Sequence, residues 1–150
     1  MVSRQNYLEQ NSKTLIAIYD SLRKDMSLHD KLKNSFYLGE FISLPEYCLI
    51  DSELFPKLLK NGTFPIKIEI YSVDITTYNT LFVHYDYYHK LYPKNKHNLE
   101  EIKTPFGDAK IFIFNGKLSE GKIIESGDWK EHYQYRDRIP LKVSKINIKH

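Results

Sequence analysis

Four consecutive residues, Tyr19-Asp20-Ser21-Leu22, put a phenol, a carboxylate and a hydroxyl at the end of the apolar run "TLIAIY". Where a strand runs into a turn, open backbone N–H groups can receive a ligand carboxylate, and a serine hydroxyl adds a donor. Asp20 acts there in one of two ways. It accepts backbone N–H groups and closes an Asx turn, or its charge opposes an anionic ligand. The other chemically capable residues stand more alone. Six histidines invite a metal reading, but His84 and His89 are five apart and fall on different faces of a helix; Asp86 faces His89. With no cysteine pair to help, the histidines read as scattered surface or supporting residues, and no metal is expected. Cys48 would need an adjacent base and a thiolate-favouring environment to act as a nucleophile. It lies in the apolar, strand-like "PEYCLID", which predicts a buried, inert thiol. Glu69, Asp86, Glu100, Glu101 and Asp128 could each exchange a proton, although a lone carboxylate is ordinarily a solvated charge. No phosphate loop, dinucleotide fingerprint or serine nucleophile elbow is present, and no cofactor is expected.

The elements that would hold these residues follow from hydrophobic periodicity. "TLIAIY" is apolar enough for a central strand buried on both faces, and it joins "DSLRKD" without a glycine. "SLHDKLKN" predicts a short helix with Ser27 as N-cap and Asp30 in the reciprocal capping position. "SFYLGEFISLPEYCLID" reads as one or two strands interrupted at Gly39 and Pro45, "LFPKLLKNGTFP" contains a turn at Asn61-Gly62, and "IKIEIYSV" alternates as a strand. Asp74 is a candidate N-cap for "ITTYNTLFVHYDYYHKLY", in which Tyr78, Leu81, Tyr85 and Tyr88 share one helical face flanked by Ile75, Phe82, His89 and Tyr92. "NLEEIKT" and "AKIFIFNG" form a hairpin about Pro105-Phe106-Gly107-Asp108, and "SGDWKEHY" follows as a turn with an aromatic pair, Trp129 and Tyr133.

At 150 residues the chain is most simply one domain with a real core. Residues 1–13 read as a polar N-terminal extension and 14–150 as the domain. Its 41% hydrophobic and 27% charged content excludes the disordered class. Twelve tyrosines and eight phenylalanines either line a cleft or fill a partly wet core. The net charge of +3 comes from scattered residues, with no basic stripe, so no nucleic-acid partner is expected. No run is long and apolar enough to span a membrane, the start carries no signal-peptide pattern, and the single cysteine suits a reducing interior. The expectation is a cytoplasmic α+β protein built mainly on strands, as a closed sheet with one helix packed against it; the resemblance described next makes that sheet a small mixed β-barrel.

Three segments in order carry a family resemblance. "IAIYDSLRKDMSLHDKL" is similar to a strand and Tyr-Gly-Thr/Ser-Leu turn, "IEIYSVD" to a Gly-Glu-x-Tyr-x-Val strand, and "AKIFIFNG" followed by "IIESGDW" to an aromatic strand and Ser-Gly-Asp-Trp segment. Together, over roughly residues 14–133, they resemble the gamma-glutamylcyclotransferase-like family with its small AIG2-like members. The resemblance implies a mixed barrel with a cavity at one end, in which a gamma-glutamyl group cyclises to 5-oxoproline and releases its amine or amino acid. It also implies that the turn's backbone holds the substrate and that a glutamate on the helix transfers protons.

Against that pattern, Tyr85 falls at the glutamate position, and a tyrosine with a pKa of about 10 is a poor base at neutrality. Asp86 is one residue away, turned by about 100° around a helix. Asp20 stands at the family glycine, Ile68 replaces a second glycine, and Ser21 and Glu69 keep the family pattern. The implied ligand contacts are Tyr19, Asp20, Ser21, Leu22 and Tyr85, with Tyr85 and Asp86 the candidates for catalysis. Two readings follow. Either the pocket binds a small polar or amino-acid-like molecule without the standard reaction, or a relocated carboxylate such as Asp86 keeps the chain an active cyclotransferase on gamma-glutamyl amines or peptides. A structural interaction domain, with the tyrosine-rich helix as packed core or interface, is the third.

Overall fold

The computed structural model describes residues 13–53, 55–91 and 97–135. Residues 1–12 of the expected extension, residues 136–150 of the expected domain, and the Tyr88, His89 and Tyr92 side chains of the expected helix face lie outside that description. Strand β1 (Thr14–Ile18) is the middle of a five-stranded sheet ordered β2 (Phe36–Ile42), β5 (Lys67–Val73), β1, β7 (Gly107–Phe114), β6 (His97–Thr104). β1 and β7 run parallel and the other neighbours antiparallel. The apolar run of β1 is explained by burial on both faces. Ile16 and Ile18 join a core with Tyr71, Val73, Leu81 and Phe112, whereas Ala17 and Tyr19 join a second core with Ile68, Ile70, Ile111 and Trp129. This is the two-residue alternation of a strand between two packed layers.

Helix α1 (Ile75–Leu91) covers the first core. Asp74 starts it as expected: its Oδ1 accepts the Thr77 N–H at 2.8 Å, satisfying one of the open donors of the first turn. Leu81 and Tyr85 are buried beneath it, Tyr78 is partly buried against the same core, and Ile75 and Phe82 on the flank are exposed. The β6–β7 hairpin also forms as expected, with Thr104 paired to Gly107 across Pro105-Phe106.

One local expectation changes, and one strand is added to those read from the sequence. The segment after Ser27 is a single 3-10 turn, His29–Leu32, with Leu28 at its N-cap and no side-chain capping bond. The His29 ring instead meets the Leu22 carbonyl (Nδ1 to O, 2.9 Å) and Leu32 enters the core, which fixes the turn without a cap. Residues ahead of Asn61 form β4 (Pro56–Lys60), paired with β3 (Tyr47–Asp51), and β8 (Lys122–Ile123) completes a separate three-stranded sheet.

The fold is mixed α+β, but the sheet is not closed into the expected barrel. β2 and β6 remain as the two edges of the larger sheet, because β3 satisfies its backbone locally with β4 and β8 rather than bridging those edges. Among the described residues, no helix is long and apolar enough to cross a membrane.

Candidate functional site

The alternation of β1 continues past its end. Ile16 and Ile18 face α1, so Asp20, two residues further, turns toward α1 as well, while Tyr19 points into the opposite core. Asp20 is 6% exposed, and its two oxygens have different partners. Oδ1 accepts the Leu22 N–H at 3.0 Å, closing an Asx turn, and Oδ2 accepts the Tyr85 hydroxyl at 2.6 Å. The Tyr85 ring stacks on Phe112 at 4.1 Å between centroids, which fixes the direction of that hydroxyl. Across the turn, Trp129 Nε1 donates to Ser21 Oγ at 2.9 Å.

Asp20, Ser21, Tyr85 and Trp129 wall a cleft of about 270 Å³, completed by Ser27 and Leu28 ahead of the 3-10 turn, Phe55 and Pro56 where β4 begins, His84, Phe114 and Tyr133. His84 is held below its usual value, chiefly by burial; Asp20 pulls it up and Lys31 pushes it down. At neutral pH it is therefore an uncharged imidazole.

The turn is anchored from behind by Arg23, which is 2% exposed. Its Nε donates to Glu69 Oε2 at 2.7 Å, its Nη1 to Asp128 Oδ1 at 2.7 Å, and its Nη2 to Glu40 Oε2 at 3.4 Å. Glu69 Oε1 also accepts the Lys24 N–H at 2.9 Å and the Tyr71 hydroxyl at 2.7 Å. Burial alone would raise Glu69, but the Lys24 N–H, Arg23 and Tyr71 hold it below its ordinary value. For Asp128, burial is likewise outweighed by Arg23, the Glu131 N–H and Lys67. Asp128 also starts the helical segment 129–135: its Oδ1 accepts the Glu131 N–H at 3.2 Å and its carbonyl the His132 N–H at 3.0 Å. One guanidinium thus ties the β1 turn, β5, β2 and the segment carrying Trp129 into a single support.

Of the residues singled out in the sequence, the structure brings Asp20, Ser21 and Tyr85 together in the cleft wall, with Trp129 and Tyr133 beside them. Tyr19 and Leu22 are fully buried away from it: the Tyr19 hydroxyl donates to the Phe112 carbonyl, and the Leu22 side chain lies in the core. Asp86 is partly buried on α1 and is not among the described wall residues. Glu100 and Glu101 pair with Lys60 and Lys110 away from the cleft. Cys48 is buried in β3, and burial pushes its thiol up, away from thiolate. Sequence reasoning missed Arg23, His84, Phe55 and Phe114 as parts of this region. Alternation could have found Phe114, two residues beyond Phe112 on β7; nothing local announces that β4 brings Phe55 to the same place.

No family model matches the chain. A Vibrio cholerae protein named as a candidate gamma-glutamylcyclotransferase is 34% identical over 115 residues, covering 77% of this chain and 94% of that protein. The crystal structure of the uncharacterized protein PH0828 from Pyrococcus horikoshii superimposes with a TM-score of 0.67 at 31% identity, covering 83% of this chain and 96% of that one. A mouse AIG2-like protein shares the fold, with a TM-score of 0.52 at 15% identity over 71% of this chain and 78% of that one. The chain belongs to the gamma-glutamylcyclotransferase family.

Proposed function

We propose that this family member binds a small polar molecule in the cleft without carrying out the standard cyclisation to 5-oxoproline. The observation that carries this reading is the engagement of Asp20. Its carboxylate already takes the Leu22 N–H of the turn and the Tyr85 hydroxyl, so the chain fills with its own carboxylate a backbone donor that an anionic ligand would seek. Tyr85 also stands where the family resemblance puts the proton-transferring glutamate. A phenol hydrogen-bonded to a carboxylate donates in that bond and is a poor base at neutral pH. The relocated-carboxylate alternative calls on Asp86, which is not among the described wall residues. Neither nucleic acid nor a membrane surface belongs to this reading, and a single buried cysteine suits the cytoplasm.

The test is direct measurement of 5-oxoproline from several gamma-glutamyl amines with purified protein. We expect no release above a boiled-protein control. Tyr85→Glu alone is expected to stay inactive because Asp20 still occupies the turn, and the Tyr85→Glu, Asp20→Gly double variant addresses both obstacles. Robust wild-type release that disappears in a folded Asp86→Asn variant would replace this reading with the relocated-base enzyme.

A further inference from the structure

We infer that the molecule this cleft takes is a small organic cation, a primary alkylammonium, held by Asp20 against aromatic walls; the inference rests on the binding reading above. It begins with a charge imbalance. Asp20 is 6% exposed, and both of its hydrogen-bond donors, the Leu22 N–H and the Tyr85 hydroxyl, are neutral. Among the described residues no cation pairs with it. Arg23, the buried guanidinium three residues after Asp20, is committed to Glu69, Asp128 and Glu40, and Lys57 to Glu120. His84 lines the same cleft but is kept neutral, chiefly by burial. A buried carboxylate without a counter-charge is costly, and an ammonium group at its edge would offset that cost.

The remaining walls suit the same ligand. Phe55, Tyr85, Phe114, Trp129 and Tyr133 surround the space, and aromatic faces attract a cation through their quadrupoles while accepting an alkyl chain. Ser21 Oγ is already an acceptor for Trp129 Nε1, and with Ser27 it leaves polar contacts near the charged end. An anion meets the opposite conditions, since Asp20 both occupies the Leu22 amide and repels it. The volume, about 270 Å³, lies just below the range of about 300–1,000 Å³ typical of small-molecule sites, which limits the ligand to a short chain.

Trp129 is the only tryptophan in the sequence and lies in the wall, so its fluorescence reports occupancy in the unmodified full chain. The probes are n-pentylamine, 1-pentanol and pentanoate, matched in length and differing in charge, with calorimetry as the second readout. Pentylamine is expected to bind at least about tenfold more tightly than either analogue, and Asp20→Asn to weaken it by about thirtyfold or more. Asparagine keeps an acceptor for the Leu22 N–H, and circular dichroism checks that the variant is folded; the comparison among the three probes needs no variant. Equal binding of pentanol, preference for pentanoate, no binding of pentylamine, or unchanged amine affinity in folded Asp20→Asn would each overturn the inference. A gamma-glutamyl amide that binds without turnover where pentylamine does not bind overturns it while leaving the binding reading in place. Release of 5-oxoproline from that amide overturns the binding reading itself.

Discussion

Tyr85 does two things at once, stacking its ring on Phe112 and donating its hydroxyl to Asp20. Tyr85→Phe separates the two functions, since the ring keeps its place and only the donor is lost. The carboxylate then retains the Leu22 N–H but loses its partner at Oδ2, inside a wall where water competes poorly. We expect destabilisation by about 1–3 kcal/mol, the cost of leaving a buried acceptor short of a donor. A drop in urea midpoint without a change in slope is the signature of that loss in a protein that otherwise folds as before. An unchanged midpoint would mean that the hydroxyl contributes nothing to holding Asp20.

At the level of elements, the turn before the helical segment 129–135 is set by Gly127. Its φ is +66°, and a Cβ there would collide with the Pro65 carbonyl oxygen, while its own carbonyl accepts the Lys67 N–H at 2.9 Å. Gly127→Ala therefore meets both a left-handed backbone and the fixed backbone just ahead of β5, and it should cost about 1–3 kcal/mol in a thermal or urea melt. Because the same turn aims Trp129 at Ser21, the variant should also alter tryptophan fluorescence in the folded state.

Elements with strong local signals were legible in the sequence: the doubly buried β1, the alternating β5, α1 with its Asp74 cap, and the β6–β7 hairpin. β4 was not, because "PKLLK" is short and does not alternate cleanly, and its strand character comes from pairing with β3. The helix expected from Ser27 shrank to one 3-10 turn for a similar reason, since the packing of Leu32 and the His29 contact with Leu22 set its length more than its capping residues did. In the cleft, Asp20, Ser21 and Tyr85 were visible as a turn and a helical face; His84 was seen only as one of several scattered histidines, and Phe55 is carried in just ahead of β4, a strand that local pattern does not place.

Over the whole molecule, Arg23 is the point through which the turn, two strands of the large sheet and the Trp129 segment are held together. Removing one partner of a buried ion pair strands the other charge, so Arg23→Ala should cost about 3–5 kcal/mol, more than either change above. The same network sets the acid limit of the fold. Glu69 and Asp128 both have folded values depressed below their ordinary ones, so on acidification the unfolded chain binds protons first. Their stabilisation is complete above the ordinary carboxylate range of about 4, and it is lost as pH falls from there through the lower folded values. His84 adds a separate step of the same sign. Its folded value is also depressed, so stability begins to fall once pH drops below the ordinary imidazole value of about 6.5. Urea midpoints measured from pH 8 to pH 3 should therefore decline in two stages. Glu69→Gln should flatten the lower stage and leave the upper one, whereas His84→Gln should remove the upper one. A single decline centred near pH 4 that Glu69→Gln does not alter would mean that other carboxylates, not the Arg23 network, govern acid unfolding.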